Sequence, residues 1–156
     1  MDLAKSPQQA PVTDKLHGNY VLLRADSLRL LLPQSDVGAT EHIGTAPQPT
    51  DDAGMFMQGE GDAARAVVAL SAEMRAALAF PPERFLLTPL RSHWGELAFV
   101  WDEVRILISP RLERQALPAA MRLENAPIDA YVELDGELAF CTTAERVMAR
   151  VMSPSV

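Results

Sequence analysis

A single cysteine, Cys141, stands among 156 residues. It excludes an intramolecular disulfide and suits a reducing compartment, so the cytoplasm is the expected location. Histidine is nearly as scarce. His17, His42 and His93 include no pair at the i, i+4 spacing of a helical metal site. With one thiol, a zinc set would need carboxylates drawn from far apart, so no metal is expected. Basic residues are outnumbered, 14 Lys and Arg against 21 Asp and Glu, for a net charge of −7, and no basic stripe offsets it. Nucleic acid and anionic membrane surfaces are poor partners for such a chain. No apolar stretch approaches the roughly 20 residues of a membrane span. Residues 1–18 carry scattered prolines and no apolar h-region. They read as a flexible tail rather than a signal peptide.

The marks of catalysis are also missing. Neither Ser71 nor Ser109 lies in a G-x-S-x-G elbow. Cys141 falls at a strand-to-helix junction, where burial is a better account than reactivity. Asp102 and Glu103 are adjacent, and neighbouring strand residues point to opposite faces, which makes them a poor general acid–base couple. The stretch GEGDAA, Gly59–Ala64, does fit G-x-G-x-x-A. That pattern binds a dinucleotide only between a strand and a helix in a βαβ unit. Here Arg65–Leu70 reads as strand, and Glu60 and Asp62 would oppose a pyrophosphate. A turn between strands is the expectation, and a nucleotide-binding enzyme built on it is the alternative. No catalytic residue and no cofactor are expected.

What the chain does have is alternation and turns. An apolar share of 48% supports a core. YVELDGELAFCTTAERVMARV, from Tyr131, contains Asp135-Gly136, the pair suited to a type I′ hairpin. Ile128, Ala130, Val132 and Leu134 alternate before it, Leu138 and Phe140 after it. Thr142 and Glu145 have capping-box spacing. Ala144, Val147, Met148, Val151 and Met152 then make one helical stripe. Asn19–Pro33 predicts a hairpin about Asp26-Ser27, and a weaker strand lies between Val37 and Ile43. Residues 44–53 read as loop. Gly54–Leu70 gives two apolar runs about the Gly-rich turn, and Ser71 opens a short helix carrying Met74, Ala77 and Leu78 that Pro81-Pro82 ends. Phe85–Leu90, Glu96–Trp101 and the alternating Val104, Ile106 and Ile108 predict three more strands. Residues 109–127, with three prolines, read as a long connection. Eight or nine short strands, two short helices and no βαβ rhythm predict a mainly β fold with antiparallel pairing.

The order of these pieces resembles CheW-like domains over about Asn19–Met152. GELAFVWDEVRILI is similar to the family segment in which a strand ends in Asp-x-Val and continues into another strand. YVELDGELAFCTTAERVMARV is similar to the family's last hairpin and C-terminal helix. GMFMQGEGDAARAVVALSAEMRAAL is similar to its Gly–strand–Arg-Gly turn, second strand and short helix. The resemblance implies two small SH3-like β-barrel subdomains sharing a core, flanked by tails at 1–18 and 153–156. It implies a non-catalytic adaptor joining chemoreceptors to a histidine kinase in bacterial chemotaxis or pilus motility. A CheW-like regulatory module with a changed partner is a further alternative.

This chain departs from the family at Gln58, where an arginine is usual, at Ala69, where an aspartate is usual, and at Trp101, which replaces a small β-branched residue. Aligned with partner-reading positions, Val37, Phe56, Gln58 and Gly59 form the expected contact surface. On a strand, Met55 and Met57 share one face and Phe56 and Gln58 the other. The match to the arginine places Gln58 and Phe56 outward and the two methionines in the core. Val37 is expected at an exposed edge or groove.

Overall fold

The computed structural model describes residues 13–121, 127–128 and 130–153. In chain order the strands are β1 (Thr13–Lys15), β2 (Tyr20–Ala25), β3 (Leu28–Pro33), β4 (Glu41–His42), β5 (Gln48–Pro49), β6 (Phe56–Gln58) and β7 (Arg65–Ala69). There follow β8 (Leu86–Ser92), β9 (Gly95–Trp101), β10 (Glu103–Leu107), β11 (Glu113–Ala116), β12 (Ala130–Leu134) and β13 (Glu137–Cys141), and then the helix α1 (Ala144–Met152). They form a seven-stranded sheet, β1-β11-β12-β13-β3-β2-β10, and a six-stranded sheet, β4-β8-β9-β7-β6-β5.

The tight turns explain the hairpins. Asp135 and Gly136 take φ of 57° and 79°, the positive values a type I′ connection requires, so Leu134 pairs with Glu137. Asp26, at φ 55°, turns β2 into β3 with Ala25 opposite Leu28.

Both sheets curl. Arg65 on β7 and Glu41 on β4 form an ion pair, although β9 and β8 lie between those strands in the sheet. In the larger sheet, Leu16 beyond β1 and Leu107 on β10 share one cluster with Leu22, Leu31, Val132 and Ala139, which brings its two edges together. Each sheet is thus a half-barrel with a core of its own. The core of the second contains Val67, Ala69, Ala98 and Val100. Between the half-barrels lies a shared core. Val21, Leu23, Leu30 and Leu32 enter it from one sheet, Val68, Leu70, Phe99 and Trp101 from the other.

This accounts for the near-continuous apolar runs of the inner strands. Their odd and even positions are both buried, one set in a private core and the other in the shared one. Trp101 has no exposed surface, and its indole N–H donates to Thr88 Oγ1 at 2.9 Å, so its one polar atom is satisfied. Two half-barrels about a common core, with a helix near the C-terminus, are the architecture expected.

Several local expectations are corrected. Residues 71–80 form turns rather than a helix. Ser71 Oγ accepts from the N–H groups of Glu73 and Arg75, Met74 sits at φ 62°, and Ala76 bridges back to Leu70. A serine that bonds the backbone just beyond it competes with helix formation. Of the expected tail, Thr13–Lys15 is strand β1, paired with Glu113–Gln115, and Leu16 is buried. The long connection likewise contains β11. Residues 1–12, 122–126 and 154–156 lie outside the described residues.

The helix cap is Thr143 rather than Thr142. Thr143 Oγ1 accepts from Arg146 N at 3.2 Å, while buried Thr142 donates to the Pro127 carbonyl at 2.9 Å. Glu145 turns away from the cap to His93. On β13 the register sets Ala139 opposite Val132, so Leu138 and Phe140 face the other way from Val132 and Leu134.

Candidate functional site

The crossover from β3 to β4 runs across the seam between the half-barrels, and three contacts pin it. Val37 bridges Leu90 on β8, and Gly38 N donates to the Pro89 carbonyl at 2.8 Å. A Cβ on Gly38 would come within 2.4 Å of Pro89 Cγ, so only glycine allows this approach. On the other side, Asp36 Oδ2 accepts from Ala144 N at 2.9 Å, a carboxylate at the positive end of α1.

Between this crossover and β10 lies a groove of about 180 Å³. Val37, Gly38, Ala39 and Thr40 form one wall, and Val21, Val104 and Ile106 the other. Among the described residues β10 is an edge strand, paired only with β2. The alternating Val104, Ile106 and Ile108 suggest a covered face, yet Ile106 is 54% exposed and Ile108 is 69% exposed. Ile106 on the open edge of β10, beside the groove, and Ile108 just beyond the strand's end form a surface suited to protein contact.

Of the four expected contact residues, Val37 lines this groove and is itself almost fully buried. Gln58 and Gly59 lie at the β6–β7 hairpin of the other sheet, away from the groove lining. Gln58 is half-buried opposite Arg65, and Gly59 opens the turn. Phe56 is not on the surface. It is 4% exposed and meets the Phe80 ring edge-on at 5.3 Å, whereas Met57 is 38% exposed. Met55 is partly buried against the shared core. The assignment of Phe56 outward and Met57 inward is therefore reversed. A curled sheet buries its concave face first, and an aromatic ring fills that space better than a flexible thioether.

The sequence reading missed Ile106 and Ile108 as surface residues. Alternation signals one apolar face and carries no information about whether a neighbour covers it.

The turn Gly59–Ala64 joins two antiparallel strands through a single 3-10 turn, Gly61–Ala63, with no helix behind it. The frame a dinucleotide needs is absent there. Among the described residues no group of three His, Cys, Asp or Glu side chains is placed to hold a metal ion. No helix among them is long and apolar enough to cross a membrane.

No family model matches this chain, and no curated protein sequence does. Solved structures do resemble it. The scaffolding protein CheW of Thermoanaerobacter tengcongensis superposes with a TM-score of 0.57 at 10% identity, over 82% of this chain and 90% of that one. The fold is CheW-like. At that identity the likeness establishes the fold alone.

Proposed function

We propose that this chain is a non-catalytic adaptor of a bacterial chemosensory array, coupling chemoreceptors to a histidine kinase for chemotaxis or pilus motility. It works in the cytoplasm by surface contact. The fold it shares with a scaffolding protein supports this reading. The observation that carries it is the exposure of Ile106, which lines the Val37 groove from the open edge of β10, together with exposed Ile108 just beyond that strand. Exposed apolar side chains beside a concave surface can form the buried centre of a protein contact.

The β6–β7 hairpin is the second contact surface, with Gln58 and Gly59 at its tip and Met57 beside them. A neutral amide at Gln58 in place of arginine removes a charge that would steer an acidic partner. Binding there is weaker and less sensitive to salt than in a typical family member. Phe56 supports this hairpin from below.

The test is capture of a histidine kinase and a chemoreceptor of a bacterial chemosensory array, comparing the wild type with Ile106→Glu and Gln58→Arg. Ile106→Glu loses capture while its circular dichroism stays native, and Gln58→Arg raises the salt dependence. Failure of the wild type to bind either protein would overturn the adaptor reading. Undiminished capture by Ile106→Glu would remove the groove from it.

A further inference from the structure

A second concavity, of about 830 Å³, opens between the tips of the β2–β3 and β12–β13 hairpins. Its volume falls in the range of about 300–1,000 Å³ typical of ligand sites. At its base is Arg29, only 7% exposed. A charge buried this deeply is normally well paired. Arg29 is not. One Nη1–H donates to the Leu134 carbonyl at 3.1 Å, and among the described residues that is its only hydrogen bond. The nearest carboxylate oxygen, Glu137 Oε2, lies 3.8 Å away, beyond hydrogen-bond distance, on a side chain that is 66% exposed.

The strand register adds an independent reason. Arg29 stands directly opposite Arg24 across the β2–β3 ladder. Like charges facing each other across a sheet are unfavourable. Arg24 is relieved by Glu103, its neighbour on β10, at 3.3 Å. The other carboxylates of the concavity are committed as well, Asp135 to Arg105 at 2.7 Å and Asp26 to Arg84 at 3.2 Å. Among the described residues Arg29 keeps its Nε and Nη2 donors without a hydrogen-bond acceptor, and Arg105 in the same lining keeps a buried Nε without one.

We propose that Arg29 is the anchor of a carboxylate-binding site, and that its ligand is a monoanionic carboxylate docking bidentately while Glu137 swings aside. Guanidinium and carboxylate match in geometry as two parallel N–H···O bonds. The charge of the lining selects the monoanion. Three arginines face four carboxylates, and three once Glu137 swings aside, so a bound monoanion leaves one excess negative charge where a doubly charged phosphate leaves two. The site does not depend on the adaptor reading, since neither hairpin tip belongs to the Val37 groove.

The test is NMR titration of the full chain, reading the Arg29 Nε–H signal. The probes are acetate, N-acetylglutamate amide, its neutral analogue N-acetylglutamine amide, and inorganic phosphate. Both carboxylates produce a saturable shift, and the glutamine analogue produces none. A tighter fit for N-acetylglutamate amide than for acetate identifies an acidic side chain of a partner as the source. Equal affinity identifies a small free carboxylate. Arg29→Lys keeps the charge but loses the fork, and weakens binding at least tenfold. Glu137→Gln removes the internal competitor and tightens binding, which keeps the proposal testable should Arg29→Lys fold poorly. The proposal falls if no carboxylate gives a saturable shift or the glutamine analogue binds equally. It also falls if phosphate binds as tightly as acetate, or if Glu137→Gln leaves affinity unchanged.

Discussion

Arg84 Nε lies 3.2 Å from Asp102 Oδ2, and that pair ties the two half-barrels together. Arg84 is 1% exposed and also donates to the Leu70 carbonyl at 2.8 Å, at the end of the strand region that feeds the shared core. Asp102 is the single residue between β9 of one sheet and β10 of the other. Its second role is to accept from Asp26 N at 2.6 Å, while its own N–H donates to the Arg24 carbonyl at 2.8 Å. One carboxylate therefore holds the crossover against the β2–β3 turn and neutralises a buried cation.

Removing that carboxylate should be costly. Asp102→Ala leaves Arg84 facing only Asp26, whose side chain is 66% exposed. Breaking a buried pair from one side costs about 3–5 kcal/mol, and the residual Asp26 contact puts this case near the lower end. Asp26→Asn, at the exposed end of the same network, should cost less than about 1 kcal/mol. Urea unfolding of both variants checks the contrast. Equal losses would show that Arg84 does not discriminate between its two partners.

The helix α1 is expected to be structural. Ala144, Val147 and Met148 are buried in the shared core, and Asp36 and Thr143 secure its first turn. Ending the chain after Thr142 strips Val147 and Met148 from that core, each contributing about 1.5–3 kcal/mol. Against a total of about 5–15 kcal/mol, the remaining domain should be largely unfolded. A truncated chain that melts at the full-length temperature would make the helix an appendage.

On β6 the expected outcomes follow burial. Phe56→Ala should destabilise the fold by about 3–5 kcal/mol, the range for removing a buried aromatic. Met57→Ser should shift stability by no more than about 0.5 kcal/mol, as surface changes do. Chemical denaturation of the two variants, side by side, settles which face is core.

That strand also shows where the sequence stops being legible. Turn chemistry was readable, because Asp135-Gly136 states its own backbone conformation. Strands buried on both faces, such as Leu28–Pro33, were readable as unbroken apolar runs. A two-sided strand like Met55–Gln58 was not, because apolar residues occupy both faces and only the curl of the sheet selects between them. β1 and β11 escaped for the opposite reason. TDK and ERQA carry no apolar alternation, and they become strands only through their partners, β1 on β11 and β11 on both β1 and β12. The groove was half legible. Val37, named by resemblance, proves almost fully buried in the groove wall, whereas the openness of Ile106 depends on how far the crossover reaches.

The margin formed by β1 and β11 yields a pH prediction. Asp14 stands opposite Arg114 in the ladder, and the guanidinium grips both oxygens, Nε to Oδ1 at 3.1 Å and Nη2 to Oδ2 at 2.7 Å. These hydrogen bonds hold the Asp14 carboxyl below its ordinary value of 3.8, with the positive charge of Arg114 adding to the effect. Arg114 is correspondingly raised by its bond to Asp14. A carboxyl whose folded-state value is depressed stabilises the fold fully above its unfolded value. That contribution disappears as pH falls through the lowered one. The β1–β11 pairing should therefore be unaffected from neutral pH down to about 4, and weaken only below 3.8. The measurement is the carboxyl carbon resonance of Asp14 against pH, read together with the β1 amide signals. Its midpoint should fall below 3.8, and Asp14→Asn should abolish the acid step in the β1 amides while leaving the β2–β3 hairpin untouched. A midpoint at or above the ordinary value would mean that the two side chains meet in the sheet without sharing a proton-dependent bond.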